Sequence, residues 1–456
     1  MPASIRRALK ELPTTLDDTY ERALQGIPKE KRQHAHRLFQ CLVAAIRPLH
    51  VEELGEIFAI EFDSDALPNL TEGWRPENAE DAVLSACSTL ISVIEDKGSR
   101  IVQFSHFSVK EFLVSDRLRT SEVRSIHHFH ILLNAAHTII VRACVAVLLQ
   151  LDETMDKKRL GKFPLAFYAA QYWVKHAKFG DVALQISDAI EHLLDTGKPY
   201  LAAWACWIYD IDRGRTRDSI DDLPERPPRP EATGLYYAVL CGFSESAKHL
   251  IVARGEDVNV KCGHHGTPLH AASFEGHLDA ARLLLGYGAD VNIVAGGTTP
   301  LMSAYDGRHL EVMRLLLEHG AKADARYNKF GLLSHHASHE GRAEVLQLLL
   351  QHQADVNARD VDDWTPLYCT SLSGHPKVAE LLLEHGADLE AKSQSKDTPL
   401  CGAARNRHLE IVQILLRHGA DVNIRGEGGR TPFQVATSCG CIEVAQLLLE
   451  HGAEKE

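Results

Sequence analysis

From Ala232 to the C-terminus, apolar positions recur in a pattern about 33 residues long. Five units open on a Thr-Pro pair: Thr267-Pro268-Leu269, Thr299-Pro300-Leu301, Thr365-Pro366-Leu367, Thr398-Pro399-Leu400 and Thr431-Pro432-Phe433. These openings lie 32, 66, 33 and 33 residues apart, and the interval of 66 holds a degenerate unit at 327–357. There Leu332-Leu333-Ser334 stands where Thr-Pro-Leu is expected. A second degenerate unit, 232–260, begins at Thr233-Gly234-Leu235. Each unit closes in a Leu-rich run, often ending in His-Gly as at His319-Gly320, His385-Gly386, His418-Gly419 and His451-Gly452. Proline at a first helical position needs no amide partner and presets φ, so Thr-Pro predicts a helix start. Leu269, Ala271 and Ala272 then share a packing face, and Gly276 permits a turn into a second helix carrying Ala281, Leu284 and Leu285. Gly288 ends that helix, and Asp290-Val291-Asn292 supplies turn chemistry. About seven helix–turn–helix units with short β-hairpin tips are expected over 232–456.

The first half is mainly helical in its patterning. After a lead-in at 1–27, amphipathic stretches predict helices at about Glu30–Ile46, Val51–Phe58 and Glu80–Leu90. Two alternating runs follow, Ile91–Ile94 and Ile101–Phe104, joined by Glu95-Asp96-Lys97-Gly98-Ser99, the signature of a β-hairpin. Three helices and a hairpin predict a winged helix over 28–120. Ser108 and Glu111 have capping-box spacing, so another helix is expected to begin at Ser108. Helical patterning continues through 121–210, with Phe167, Tyr168, Tyr172 and Trp173 as an aromatic core stripe. The polar, Pro-rich segment 211–231 reads as a linker.

Composition narrows the function. Hydrophobic residues make up 45% and charged residues 24%, the balance of a folded chain. Net charge is −13, with 20 basic against 28 acidic side chains in 232–456, so no basic body faces phosphate backbones. The recognition-helix candidate of the winged helix, Glu80 to Cys87, holds no Lys or Arg, which argues against nucleic acid. The apolar stretch Ile131–Leu151 is interrupted by Asn134, His137 and Arg142 and reads as a core helix, so no membrane insertion is expected. Ten scattered Cys without a CxxC pair suit a reducing, cytoplasmic setting. Of 26 His, 16 fall in the repeats, and His319, His352, His385, His418 and His451 recur every 33 residues at helix ends. That position suits a cap on the last carbonyls, and His270 is read the same way. Neighbouring copies stack too far apart to share an ion, so no metal is expected.

A 33-residue helix–turn–helix unit with the opening Thr267-Pro268-Leu269-His270-Ala271-Ala272 resembles the ankyrin repeat. The string Phe104-Ser105-His106-Phe107-Ser108-Val109-Lys110-Glu111-Phe112-Leu113 resembles the winged-helix module that follows the NACHT domain in NOD-like receptors and fungal NACHT–ankyrin proteins. Leu12-Pro13-Thr14-Thr15-Leu16-Asp17 with Tyr20, and Arg117 to Ser125, agree with the fungal version, also known as a GPI inositol-deacylase winged helix. That resemblance implies that His106 contacts the β-phosphate of a bound nucleotide when a NACHT domain is present. This chain has no phosphate loop: Gly161-Lys162-Phe163 and Gly197-Lys198-Pro199 lack the required Ser/Thr. Nor does Gly242-Phe243-Ser244-Glu245-Ser246 make a nucleophile elbow. The sequence begins where the family's NTPase domain would end.

The expectation is a protein-interaction scaffold in NOD-like-receptor-type signalling, with no catalysis and no cofactor, whose concave repeat face holds a protein partner. The alternative is the switch half of an NTPase, with His106 sensing nucleotide on a NACHT domain in cis or in trans. The residues ahead of each Thr-Pro are the candidate binding tips: His264 and His265, Tyr327 and Phe330, Asp362, Asp363 and Trp364, Lys396 and Asp397, and Arg430. Trp364, Tyr327 and Phe330 are expected to form an aromatic patch rimmed by Asp360, Asp362 and Asp363.

Overall fold

The computed structural model describes residues 15–62, 67–96, 98–152, 155–210, 215–216, 223–225, 230–327 and 331–455. The chain forms two compact units. One runs to Glu256 and includes Cys262–His264; the other comprises Asp257–Lys261 and His265 onward. Most of 211–231 lies outside the described residues.

The first unit opens with α1 (Leu16–Gln25), started by a reciprocal cap between Thr15 and Asp18. Helices α2 (Arg32–Ala44), α3 (Val51–Phe58) and α4 (Ala79–Cys87) follow, with Asn78 capping the last. Strands β1 (Leu49–His50), β2 (Ile91–Asp96) and β3 (Ser99–Phe104) form an antiparallel sheet in the order β1-β3-β2. This is the expected winged helix, with a shorter turn. Asp96 pairs with Ser99, so Glu95, Asp96 and Ser99 belong to the strands, and Gly98 takes φ +83° in the tight turn. Helix α5 (Phe107–Val114) starts one residue earlier than Ser108, because the His106 side chain accepts from the Ser108 amide and is itself the cap. The core is continuous through Leu38, Phe39, Leu54, Val83 and Val102.

Beyond it, α6 (Leu133–Leu148) packs on α2 and on α7 (Ala166–Ala177). The aromatic stripe is core in part: Tyr168 and Trp173 are buried, Phe167 and Tyr172 only half-buried, and Trp173 meets Trp204 edge-on at 5.1 Å. A buried carboxylate links the two parts. Glu56 on α3 accepts the Leu165 amide at 2.8 Å and pairs with Arg75 at 2.5 Å. Helix α8 (Ser187–Leu194) packs against α9 (Gly234–Leu240) and α10 (Ser244–Arg254), the first helix pair of the repeats, so the compact division falls after that pair. Gly234 explains its degenerate opening: a Cβ there would lie 2.6 Å from the Leu194 carbonyl oxygen.

The second unit is a run of helix pairs: α11 (Pro268–Glu275) with α12 (Leu278–Gly286), α13 (Pro300–Gly307) with α14 (Leu310–Glu318), and α15 (Leu333–His339) with α16 (Ala343–Gln351). Then come α17 (Pro366–Ser373) with α18 (Pro376–Glu384), α19 (Pro399–Arg405) with α20 (Leu409–Arg417), and α21 (Pro432–Ser438) with α22 (Ile442–Glu450). Thr267, Thr299, Thr365, Thr398 and Thr431 each cap the helix that the following proline begins. Leu332 gives α15 no side-chain cap. β-Bridges join Ala295 with Thr298 and Arg326 with Leu332 at their tips.

Candidate functional site

The repeat surface is held by side chains that reach from one unit to the next. Asn259, Asn292, Asn357 and Asn423 each accept the amide of the residue two before the next such position, at 2.8–2.9 Å. Each also donates from Nδ2 to the carbonyl of Gly288, Gly320, Gly386 or Gly452, at 3.0–3.3 Å. Asp324 and Glu390 stand in for two of these asparagines: each accepts an amide, from Asp355 and Asp421, but has no N–H to donate. A histidine series provides a second tie. His375 and His408 bond through Nε2 to the carbonyls of His339 and Leu372, both at 3.0 Å, and His335 and His270 bond likewise to Trp364 and Thr298 at 2.9 and 3.1 Å. Burial holds the His270 pKa below its ordinary value. At the helix ends, the rings of His319, His385, His418 and His451 bond the carbonyls four residues back, at 2.8–2.9 Å. That is the capping geometry expected of these four. His352 makes no such bond among the described residues, and His270, read the same way, instead lies in the first turn of α11, three residues after Thr267.

The histidine series obeys a steric rule. A Cβ on Gly341 would lie 2.6 Å from the His375 ring, one on Gly374 2.5 Å from His408, and one on Gly276 would collide with His309. The two turns that carry a side chain in place of that glycine are Arg308 and Arg407, both left-handed at φ +64° and +65°. Their next units carry Arg342 and Cys441 where His would stand. The pairing is steric: a Cβ and an imidazole cannot share that space.

The tip residues divide into three groups. Trp364 is half-buried, its ring tilted on Tyr368 at 5.4 Å, and Asp360 Oδ1 accepts the amides of both Trp364 and Asp362. Asp362, Asp363, Lys396, Arg430 and His264 are exposed, and His265 packs on Phe274 at 4.6 Å. Asp363 and Lys396 adopt φ of +58° and +67°. Tyr327 turns away from Trp364: its hydroxyl donates to Asp306 at 2.5 Å, and its ring meets Tyr305 at 5.3 Å and His336 at 4.4 Å. Burial and that bond push its phenol up to about 12. Among the described residues no ring contact joins Tyr327 to Trp364, and Phe330 lies outside them, so the expected single aromatic patch is instead two separate clusters.

Asp397 is the second correction. It is not displayed at a tip but fully buried, accepting from the Tyr368 hydroxyl at 3.2 Å and pairing with Arg405 at 3.0 Å. Arg405 also pairs with Glu427 at 2.9 Å, so three successive units meet there. Charge type alone suggested a surface role; the long-range partners that bury it have no local signal. The Gly–His ties went unread too, although the 33-residue spacing of His375 and His408 matches that of the helix-end series.

In the winged helix, His106 is exposed. Its Nδ1 lies 2.5 Å from Ser108 Oγ, which is 2.6 Å from the Tyr20 hydroxyl. Nε2 makes no hydrogen bond among the described residues.

Comparison with known proteins agrees with both halves. The model for ankyrin repeats (3 copies) matches residues 235–327, 328–393 and 390–456. The GPI inositol-deacylase winged helix domain matches 20–124. A curated relative, azaphilone pigments biosynthesis cluster protein L of Monascus ruber, is 31% identical over 297 residues, covering 62% of this chain and 61% of that protein. The crystal structure of the human ASB11 ankyrin repeat domain is 30% identical with a TM-score of 0.42, covering 49% of this chain and all of that one. With a winged-helix motif and Thr-Pro-capped helix pairs both in place, this chain carries a GPI inositol-deacylase-type winged helix followed by ankyrin repeats.

Proposed function

We propose that this chain is a cytoplasmic scaffold without catalysis of its own, serving NOD-like-receptor-type signalling by holding a protein partner on the tips and concave face of its ankyrin repeats. The observation that carries this reading is Trp364. Its backbone is tied at both ends, by Asp360 Oδ1 to its amide and by His335 to its carbonyl, while its ring stays half out of the core beside the exposed carboxylates of Asp362 and Asp363. A rigid, partly exposed indole loses little entropy on binding, and tryptophan is enriched among residues that dominate interfaces. An apolar anchor with basic flanks fits this tip. Among the described residues no helix is long and apolar enough to cross a membrane.

Trp364→Ala tests the reading. The melting temperature is expected to stay nearly unchanged, while partner affinity falls by roughly 2 kcal/mol or more. A pull-down that recovers the same partners at the same strength, or a large fall in melting temperature, refutes it.

A second reading rests on His106. Because Nδ1 is engaged by Ser108, the exposed Nε2 is the nitrogen left to meet a phosphate oxygen, as a nucleotide-sensing role beside a NACHT domain requires.

A further inference from the structure

The junction between the α13–α14 pair and the α15–α16 pair departs from its neighbours twice. Arg308 replaces the turn glycine, and Arg342 replaces the histidine that would pack beneath it. Where the junctions at Gly276, Gly341 and Gly374 are filled by an imidazole, this one holds a cleft of about 440 Å³. Leu310, Met313 and Val345 line its apolar side, and Tyr305 and Arg342 its wall. Its volume falls within the range of small-ligand and peptide-side-chain pockets.

The two guanidinium groups are not equivalent. Arg342 is spoken for: it donates to the Tyr305 carbonyl at 2.9 Å, pairs with Glu340 at 2.6 Å and lies 4.1 Å over the Tyr305 ring. Arg308 lines the same cleft and is exposed, and its guanidinium makes no hydrogen bond or ion pair among the described residues. Glu344 also lines the cleft and is exposed at its rim. The net result is an apolar hollow with one unpaired guanidinium at its edge and the Glu344 carboxylate at its rim, and arginine favours carboxylates through paired N–H donors.

We propose that this cleft is a second docking site, separate from the Trp364 tip, for an acidic peptide segment that places a carboxylate on Arg308 and an adjacent aliphatic side chain on Leu310, Met313 and Val345. The site goes beyond the concave-face reading and does not depend on it. It exists because the junction exchanged a packed Gly–His pair for two arginines, one held and one free.

The test uses the full chain and two labelled, amidated hexapeptides, Ala-Leu-Glu-Glu-Leu-Ala and the same sequence with Lys in place of both Glu. Fluorescence polarisation at low salt is expected to give at least about tenfold tighter binding of the acidic peptide. Arg308→Gly should weaken it about fivefold or more without lowering the melting temperature, since glycine suits the left-handed turn. Arg308→Gly combined with Arg342→His rebuilds the regular junction and should abolish binding. Trp364→Ala should leave it intact, so this site and the concave face can fail separately. Equal binding of the two peptides, no saturable binding up to about 1 mM, wild-type binding by Arg308→Gly, or a lowered melting temperature in that variant would each overturn the proposal.

Discussion

The joint after α16 is the place where one substitution should most clearly strengthen the array. Asp324 accepts the Asp355 amide at 3.1 Å but cannot donate, whereas its asparagine counterparts also reach the carbonyl of the following helix-end glycine. The equivalent residue here is Gln353, held at φ +67° without the freedom of glycine. Asp324→Asn supplies the missing N–H; an exposed hydrogen bond of this kind contributes about 0.5–1 kcal/mol. Gln353→Gly removes a left-handed side chain, about 1 kcal/mol more. The pair should therefore stabilise the α15–α16 pair by roughly 1.5–2 kcal/mol. Stability in such arrays is close to a sum of local and nearest-neighbour terms, so the gain should be concentrated at this joint. Hydrogen exchange reads it directly. In the parent chain, amides of Leu333–His339 and Ala343–Gln351 should exchange faster than those of the flanking pairs. In the double variant their protection should rise about tenfold or more, with the flanks changing less. Uniform protection across the internal units of the parent, or no gain in the variant, refutes the reasoning.

Asp397→Ala should cost roughly 2 kcal/mol in chemical denaturation, because it strands the Tyr368 hydroxyl and Arg405; the partial exposure of Arg405 keeps the figure below that of a fully buried pair. A loss no larger than that of an exposed aspartate would show the network to be incidental. Burial lowers the pKa of His36 to about 4, with His128 and His130 adding to the effect, and that of His176 to about 3, with His137 adding. The unfolded chain therefore binds more protons as pH falls from 6.5 towards 4, so stability drops over that window, on the order of 2–3 kcal/mol per histidine. His36→Gln and His176→Gln should each flatten the melting temperature's dependence on pH there; an unchanged slope refutes the assignment. The isolated chain should neither bind ATP tightly nor hydrolyse it, and micromolar affinity by calorimetry, lost on His106→Ala, would favour the nucleotide-switch reading instead.

What was legible in the sequence was whatever is encoded within a few residues. Thr-Pro openings mark helix starts because cap and first turn lie side by side, and all five fall where the spacing places them. The hairpin showed through its alternation, but not its turn length, since Glu95, Asp96 and Ser99 are polar in a strand only because they sit at an exposed end. Ser108 looked the better cap by residue type; His106 takes the role because it occupies the extended position before the helix. Asp397 and the Gly–His ties depend on partners about 30 residues away, where local pattern carries no information.

The Gly–His rule also sets which unit can follow which. A copy of the Pro366–Glu384 pair inserted after itself would bring Gly374 against a second His375, a fit already present in the array. A copy of the Pro300–Glu318 pair placed in tandem would push the Cβ of Arg308 into His309, so that duplication should be excluded unless the histidine changes with it. The turns thus act as keyed couplings. The array can lengthen or shorten freely at some points, while the order of units around Arg308 and Arg407 is locked by shape.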